Sequence, residues 1–293
     1  MKLKLCFTDT HEHLAQFFYN LLSTRYEIEI EQTNPEFLIF GDSNFGSNNR
    51  KFSKDKVVKI FYTGENQRPE RYDCSYAISF DRKDEPWHYR LPLYVIYMWA
   101  HEQIHKTGYA YDYIFNPTIK PKSDFCTFVV SNPNCKERNT FFSLLNAYKK
   151  VDSGGRYQNN IQVNLDGEKA KIDFLSSRKF NIAFESYSHP GYVTEKILHA
   201  FYAGTIPIYW GDPTIAKDFN PDAFINVHDY ESFEDCIEFI KKVDSDDDLY
   251  QAMVSAPKFK EVPSYINLNN FLDWFDSTVY KKVNKREDTV IYF

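Results

Sequence analysis

The sequence predicts an α/β protein with two domains, each built on a parallel β-sheet covered by helices. Three observations support this fold class. Short apolar runs alternate with amphipathic helical patterns along most of the chain, which is typical of parallel sheets. The stretch 105–124, with Pro117 and Pro121 and poor periodicity, interrupts the alternation and is predicted to be a linker. A length of 293 residues favours two domains over one.

The part before the linker contains signals for five strands and two helices. The helices are predicted at residues 11–25, where the apolar side chains share one face, and at 91–103, which is rich in aromatic residues. Several strands end in glycine, aspartate or asparagine, as strands that enter tight turns do. The strands are predicted at residues 2–8, 26–31, 37–40, 57–62 and 76–80.

A second alternation follows the linker. Strands are predicted at residues 125–131, 180–184, 206–210 and 223–227, and helices at 138–150, 194–203 and 233–243. An amphipathic pattern from residue 269 predicts a last helix that crosses back to the first domain. This order indicates two Rossmann-like domains facing a central cleft, where ligands bind at the carboxyl ends of the strands. We expect domains at residues 1–115 and 124–268, with the returning helix at 269–293.

Composition excludes several classes of protein. The formal net charge of -6 argues against a general nucleic-acid binder, which would usually be basic. Five scattered cysteines without a C-x-x-C pair indicate free thiols in a reducing compartment. The first residues lack the apolar core of a signal peptide, and no run approaches the roughly 20 apolar residues that span a bilayer. The sequence therefore predicts a cytoplasmic protein.

The loop 185–193 lies between a predicted buried strand and the start of a predicted helix. The N–H groups and dipole of a helix N-terminus favour an anion such as a diphosphate. Lys196 in the first turn is unfavourable there by up to about 1 kcal/mol unless an anion joins it. Glu195 is favoured by the dipole and could accept hydrogen bonds from ribose or sugar hydroxyls. A solvated Glu-Lys pair on a surface helix explains the spacing equally well.

Longer motifs around this loop carry a resemblance to a known family. The pattern F-E-x-x-x-x-x-G-Y-V-T-E-K-I from Phe184, followed by TIPIYWGDP and AKDFNPDAFINVHD, resembles the donor-binding core of the bacterial α-1,3/4-fucosyltransferases. The similarity continues at FVVSNPNCKERN and KIFYTGENQRP and covers most of residues 57–230. It implies a GT-B fold and an inverting transfer of L-fucose from GDP-fucose, with no cofactor and no metal.

The resemblance also implies roles for single residues in donor binding. Tyr192, Glu195 and Lys196 match residues that contact the donor, and Arg138 matches an arginine that grips the phosphates. Arg138 stands near the start of a predicted helix after a strand, which by itself permits a phosphate role or a plain surface arginine. Ser186 replaces the family's usual asparagine and reaches less far, which leaves open different donor contacts and a different sugar on the donor.

Inversion at the sugar requires a base opposite the leaving group, and a carboxylate near the acceptor hydroxyl is the usual solution. The strand 57–62 is followed by Thr63-Gly64-Glu65-Asn66. The similarity to the T-G-E-N element of the family implies that Glu65 is the general base. From Gly64 and Asn66 alone, an ordinary turn glutamate would be the better interpretation.

Three other charged segments are interpreted as structural. The aspartates of 244–248 resemble a metal-binding D-x-D motif but fall between two helical patterns, so a helix-capping loop is favoured. His11 and His13 are predicted to point to different faces of one helix, which disfavours a metal site. The basic residues Lys281, Lys282, Lys285 and Arg286 could touch an anionic membrane surface, but ordinary solvation is favoured.

The function predicted is that of an α-1,3-fucosyltransferase. It would move L-fucose from GDP-fucose to N-acetylglucosamine of a galactose-containing, Lewis-type glycan of bacterial lipopolysaccharide, with N-acetyllactosamine or a related oligosaccharide as acceptor. A different GDP-sugar is one alternative, motivated by Ser186. The other is a non-catalytic protein that binds a nucleotide-sugar or glycan. The 1,3 or 1,4 linkage and a weak peripheral association with the inner membrane are left open.

Overall fold

The structure is a computed structural model that describes residues 2–103 and 108–281. The chain divides into two compact units. Unit 1 comprises Met1–Ile96 and Pro263–Phe293, and unit 2 comprises Tyr97–Val262. Each unit is built on one fully parallel sheet, as the alternation of strand and helix patterns predicts.

The sheet of unit 1 has six strands in the order β2-β1-β3-β4-β5-β6, and every neighbouring pair is parallel. The two central strands, β3 and β4, are buried along their whole length. Burial on both faces explains why they read as continuous apolar runs instead of an alternating pattern. The strands are β1 Lys2–Thr8, β2 Glu27–Ile30, β3 Phe37–Phe40, β4 Val58–Tyr62, β5 Tyr76–Ser79 and β6 His88–Arg90.

The sheet of unit 2 has five strands in the order β11-β10-β9-β7-β8, also all parallel. Its apolar core joins the strands to the covering helices, with Phe128, Ile182 and Ile208 among the buried members. The carboxyl ends of β7, β9 and β10 lie side by side and therefore bring their following loops together. The strands are β7 Asp124–Phe128, β8 Val151–Ser153, β9 Arg178–Phe184, β10 Ile206–Trp210 and β11 Ile225–Asn226.

Eight α-helices lie within the described residues. They are α1 Glu12–Leu22, α2 Leu93–Gln103, α3 Lys136–Tyr148, α4 Gly167–Leu175, α5 Glu195–Tyr202, α6 Phe233–Ser245, α7 Asp247–Ser255 and α8 Leu268–Trp274. A π-helical segment, Phe275–Tyr280, continues α8. No helix in the described ranges is both long and apolar enough to cross a membrane.

The C-terminal segment packs on unit 1. The guanidinium of Arg25 pairs with the carboxylate of Asp276 at 2.7 Å, and the hydroxyl of Tyr76 donates to the carbonyl oxygen of Thr278 at 2.9 Å. Phe275 is fully buried and its ring lies 5.7 Å from that of Tyr26. These contacts join residues about 200 or more positions apart in the chain.

Parts of the sequence interpretation need correction. His11 lies outside α1 as its N-cap, where Nδ1 accepts a hydrogen bond from the His13 N–H. The two imidazoles are in contact, with ring centroids 4.9 Å apart, so the argument that they point to different faces of one helix is wrong. Residues 108–123 of the expected linker include a 3₁₀ helix, Tyr111–Phe115, whose Ile114 is fully buried.

Candidate active site

A groove of about 970 Å³ lies at the carboxyl ends of the unit 2 strands. Its walls come from the loop after β7, the first two turns of α3, the loop after β9 and the last residue of β10. In open parallel sheets this edge is where ligands bind, because the loops there converge and can supply polar groups. The residues lining it include Asn134, Lys136, Asn139, Tyr157, Ser186 and Trp210.

Arg138, in the first turn of α3, is a buried cation next to this groove's α3 wall. Only 2% of the residue is exposed, and its guanidinium donates to the carbonyl oxygen of Asn132 at 2.5 Å. Its Nε is buried and has no hydrogen-bond partner among the described residues. Burial lowers the pKa of Arg138, while nearby Cys135 and Glu185 act in the opposite direction. A buried donor without a partner is costly, and an anionic ligand would satisfy it.

Glu185, which follows β9 directly, is a fully buried carboxylate at the start of α5. One oxygen accepts the backbone N–H of Thr194 at 2.7 Å, and the other accepts the hydroxyl of Thr194 at 2.7 Å. The second oxygen also lies 3.0 Å from the ammonium of Lys196. The carboxylate thus caps the helix N-terminus, where its negative charge is favoured by the helix dipole.

Lys196 is paired with Glu185, so a carboxylate of the protein already supplies the anion that a cation at this helix N-terminus requires. Its ammonium also donates to the hydroxyl of Thr194 at 2.8 Å. Burial disfavours the charged ammonium, but Glu185 and Glu195 together outweigh it, so the pKa of Lys196 is raised. About a quarter of the Lys196 side chain, 26%, stays exposed. The charge can therefore act on a ligand as well as on Glu185.

Glu195 lies between two ammonium groups. Its carboxylate is 3.6 Å from Lys196 and 3.9 Å from Lys171 of α4. Burial alone would raise the pKa of Glu195, but Lys196 and Lys171 hold it at about 2. The carboxylate is therefore ionised and is a hydrogen-bond acceptor only. Because just 16% of the side chain is exposed, the alternative of a solvated surface pair is wrong.

The structure brings four of the five predicted donor residues together around Glu185. Arg138, Tyr192 and Lys196 interact electrostatically with this carboxylate or with one another, and Glu195 is paired to Lys196. Tyr192 is buried, and its carbonyl oxygen accepts a hydrogen bond from the Tyr209 hydroxyl at 3.2 Å.

Ser186, the fifth predicted donor residue, lines the wall of the groove itself. It follows Glu185 in the chain, so the wall and the buried cluster are joined by one peptide bond.

Residues 155–158 shape another wall of the groove, which the motifs did not identify. Tyr157 and Gln158 line it. A Cβ on Gly155 would lie 2.1 Å from the carbonyl oxygen of Val130, so only glycine allows this close approach. The N–H of Tyr157 then donates to the same oxygen at 2.9 Å. Two adjacent glycines, Gly154 and Gly155, mark this turn in the sequence.

Glu65 lies in unit 1 as an exposed residue of the loop after β4, at the carboxyl end of the strand. Its N–H donates to the hydroxyl of Thr63 at 3.0 Å, and that hydroxyl donates to the buried carboxylate of Asp42 at 3.1 Å. A Cβ on Gly64 would lie 2.8 Å from a methyl carbon of Leu93, so the loop sits close against α2. The backbone of the T-G-E-N element is therefore held in place, and the buried Asp42–Thr63 pair was missed by sequence reasoning.

The D-x-D segment is structural, as predicted. Asp246 caps α7 by accepting the N–H of Leu249 at 2.9 Å. Asp244 pairs with Lys149 at 2.7 Å and Lys179 at 3.4 Å. In the described part of the chain no three His, Cys, Asp or Glu side chains are grouped to hold a metal ion.

Comparison with known proteins decides the family. Residues 119–279 match the family described as glycosyltransferase family 10 (fucosyltransferase), C-terminal part. Residues 4–97 match the N-terminal domain of α-(1,3)-fucosyltransferase FucT. The chain belongs to glycosyltransferase family 10. The family suggested by the TGEN and GYVTEK motifs is therefore confirmed.

Relatives of this family-10 chain include proteins named as fucosyltransferases or putative fucosyltransferases. It is 38% identical over 267 residues to the α-(1,3)-fucosyltransferase FucT of Helicobacter pylori. This match covers 80% of this chain and 55% of that protein. It is 33% identical over 176 residues to the putative fucosyltransferase R654 of Acanthamoeba polyphaga mimivirus, which covers 57% and 28%. The chain thus spans about half or less of the length of these two relatives.

Solved structures of family members share the fold. A crystal structure of an α1,3-fucosyltransferase matches with a TM-score of 0.80 and 29% identity, covering 95% of this chain and 90% of the other. A crystal structure of α1,3-fucosyltransferase with GDP-fucose matches with a TM-score of 0.76 and 28% identity, covering 94% and 90%. The predicted GT-B fold class is confirmed.

Proposed function

We propose that this family-10 chain is an inverting α-1,3-fucosyltransferase that uses GDP-fucose. The acceptor is N-acetylglucosamine in a galactose-containing, Lewis-type glycan of lipopolysaccharide, with N-acetyllactosamine as its simplest form. The observation that carries the proposal is a pair of cations, the buried Arg138 and the partly buried Lys196, beside a groove of a size that suits a nucleotide-sugar. A relative of the same fold has been solved with GDP-fucose.

The diphosphate of the donor binds to unit 2. Arg138 supplies a buried Nε that has no hydrogen-bond partner among the described residues, and Lys196 supplies an ammonium that Glu185 and Glu195 keep charged. Glu195, ionised between two lysines, accepts hydrogen bonds from ribose or sugar hydroxyls. Tyr192 and Ser186 complete the donor contacts. Two fixed cations stabilise the charge that grows on GDP as it leaves, which is the role that a metal has in other transferases, so no metal or cofactor is required.

The reaction is a single displacement with inversion. Glu65 of unit 1 takes the proton from the acceptor hydroxyl. The oxygen of that hydroxyl forms a bond to the fucose anomeric carbon as the bond from this carbon to the diphosphate oxygen breaks. The electron pair leaves with GDP, whose added charge is met by Arg138 and Lys196. The hydrogen bonds of the TGEN loop fix the backbone at Glu65, which limits the positions from which its carboxylate can reach the acceptor hydroxyl.

Two alternatives rest on specific observations. Ser186 lines the groove in place of the family's usual asparagine, so another GDP-sugar is a second candidate donor. A non-catalytic protein that binds a nucleotide-sugar or glycan would need the groove but not Glu65. The T-G-E-N element, kept with its supporting Thr63 and Asp42, argues against it.

The test is a product assay with the purified chain. GDP-fucose and N-acetyllactosamine are incubated with the protein, release of GDP is followed, and the product linkage is determined by NMR. We expect fucose α-1,3-linked to N-acetylglucosamine. GDP-mannose and GDP-glucose are assayed in parallel, and faster release from either would favour the second donor. Donor binding in calorimetry with no product from any pair would favour the binding protein.

We also propose that the protein acts in the cytoplasm, at most weakly bound to the inner membrane. Of the basic residues expected to touch a membrane, Lys281 is exposed, while Lys282, Lys285 and Arg286 lie outside the described residues. Sedimentation with vesicles containing 30% anionic lipid tests this, and we expect most of the protein to stay in the supernatant at physiological salt.

A further inference from the structure

Unit 1 contains a second cavity, of about 610 Å³, which none of the predicted site residues lines. It lies against the sheet between a 3₁₀ helix, Asn48–Lys51, and another at Pro69–Arg71. Its size is within the range that holds a small ligand. We call it the Lys59 cavity, because Lys59 of β4 contributes its only buried charge among the described residues that line it.

The ammonium of Lys59 has few hydrogen-bond acceptors around it in the fold. Its side chain is 2% exposed, yet its one hydrogen-bond partner in the described ranges is a carboxylate oxygen of Asp73 at 3.5 Å. Asp73 is itself 60% exposed and shared with Lys54 at 3.1 Å. The ring of Phe40 lies under the ammonium at 5.3 Å. An ammonium has three donors, and burying one with so few acceptors is costly unless a ligand supplies more.

Two further cations line the same cavity. Arg50 and Arg71 belong to the two 3₁₀ helices, are exposed, and have no ion-pair partner within the described residues. With Lys59 they give three positive charges against the single negative charge of Asp73. The position of Arg50 is fixed by the fold. The buried carboxylate of Asp9 accepts the N–H groups of Asn48 and Asn49 and so holds the 3₁₀ helix that carries Arg50.

The rest of the lining is suited to a saccharide. It includes three serines, one asparagine and one glutamine, which pair with sugar hydroxyls, and two aromatic residues, Phe52 and Tyr72. We propose that the Lys59 cavity binds the anionic group of an acidic saccharide, a carboxylate or phosphate carried by the acceptor glycan. Binding of the anion does not depend on the proposed function. The statement that the anion belongs to the acceptor glycan does rest on it.

The binding test uses the whole chain with its donor groove filled by GDP. Backbone amide shifts of Gly46 and Gln67, which line the cavity, are followed in ¹⁵N-labelled protein during titration with inorganic phosphate, D-glucuronate and neutral D-glucose. We expect saturable shifts with both anions and none with glucose. Arg71→Gln and Lys59→Met should each weaken anion binding at least fivefold, while Lys56→Gln, an exposed lysine outside the cavity, should not. Equal shifts with glucose, or anion binding unchanged in Arg71→Gln, would overturn the site.

A kinetic arm separates the site from the proposed function. If the enzyme fucosylates N-acetyllactosamine, its sialylated form should have a KM at least fivefold higher in Arg71→Gln, with kcat and the neutral acceptor's KM unchanged. Phosphate binding without any preference for the acidic acceptor would overturn the assignment to a glycan. If no transfer occurs with any acceptor, the amide titration still decides whether the cavity binds anions.

Discussion

The ammonium of Lys196 lies 3.0 Å from a carboxylate oxygen of Glu185, which precedes it by 11 residues and has no solvent exposure. The same carboxylate accepts two hydrogen bonds from Thr194, so one buried anion organises the whole N-terminus of α5. This pairing explains how the chain tolerates a cation at a helix N-terminus. It also keeps the lysine charged and oriented before any ligand arrives.

Glu185→Gln is expected to destabilise the protein by about 2–3 kcal/mol. The amide can still accept the Thr194 N–H, but the Lys196 ammonium loses its charged partner, and removing one member of a buried pair is costly. The expected loss of stability is smaller than for a fully buried ion pair, because the Lys196 side chain is 26% exposed. Urea unfolding followed by fluorescence measures it.

The matched control is Glu231→Gln, which changes an exposed glutamate in the same unit. Its free energy of unfolding should stay within about 0.5 kcal/mol of the original. Equal stabilities for the two variants would contradict the organising role of Glu185.

The central strands of both sheets could be predicted, because they are short apolar runs bounded by turn residues. The strand at residues 37–40 and the one at 206–210 have the predicted bounds. The edge strand β8 could not be predicted, because its three residues, Val-Asp-Ser, are too few to show an apolar or alternating pattern. Their burial results from the elements that pack around them. Helix α4 was missed for a related reason, since the polar sequence from Gly167 gives it only a few buried side chains.

At the site, motifs located the residues but not their partners. The GYVTEK segment identified Tyr192, Glu195 and Lys196, and the structure clusters them with Arg138. The partner of Lys196 was missed because Glu185 lies across a nine-residue loop, and loop conformation is set by packing that spacing does not encode. The support of Glu65 by Thr63 and the more distant Asp42 was missed for the same reason.

Glu65→Gln is expected to lower kcat by 10²–10⁴-fold, because glutamine cannot take the proton from the acceptor hydroxyl. The KM for GDP-fucose should change little, since Glu65 is not among the donor-binding residues. Steady-state kinetics with N-acetyllactosamine measures both constants. Glu85→Gln, at another exposed glutamate of unit 1, should behave as the unchanged protein. Near-normal turnover by Glu65→Gln would exclude it as the base.

Arg138→Met is expected to affect ligand binding and stability differently. The guanidinium is buried and its Nε has no hydrogen-bond partner within the described ranges, so the unliganded fold gains little from it, and the free energy of unfolding should change by less than about 1 kcal/mol. Affinity for GDP should fall at least tenfold, because a charge-assisted contact to the phosphates is lost. Calorimetric titration with GDP measures this. Lys242→Met, at an exposed cation of α6 that does not line the groove, should retain GDP affinity, and equal affinities for both variants would contradict the phosphate role of Arg138.

The lowered pKa of Glu195 predicts that the protein loses stability in acid. Its pKa in the folded protein is about 2, below the ordinary value of 4.5. A carboxyl with a lowered folded pKa contributes stability that is fully present above pH 4.5 and is lost as the pH falls towards 2. This shift corresponds to at most about 3 kcal/mol. Unfolding measured between pH 6 and 2 should therefore show a smaller loss in Glu195→Gln than in the original protein or in the exposed-site control Glu261→Gln. Identical pH profiles in all three would contradict the paired state of Glu195.

Gly155→Ala is expected to lower both stability and nucleotide affinity. The added Cβ would lie 2.1 Å from the carbonyl oxygen and 2.3 Å from the nitrogen of Val130, so the backbone must move, at a cost of about 1–3 kcal/mol. That movement displaces Tyr157 and Gln158 from the groove wall, and GDP should bind several-fold more weakly.

Gly167→Ala separates the two effects of the Gly155 change. Its φ of +79° strains alanine, but no atom lies within 4 Å of the added Cβ, so about 1 kcal/mol of stability should be lost without any change in GDP affinity. Urea unfolding of both variants measures the loss of stability, and calorimetric titration with GDP measures the affinity. If Gly155→Ala bound GDP as tightly as Gly167→Ala, the wall formed by residues 155–158 would have no part in holding the nucleotide.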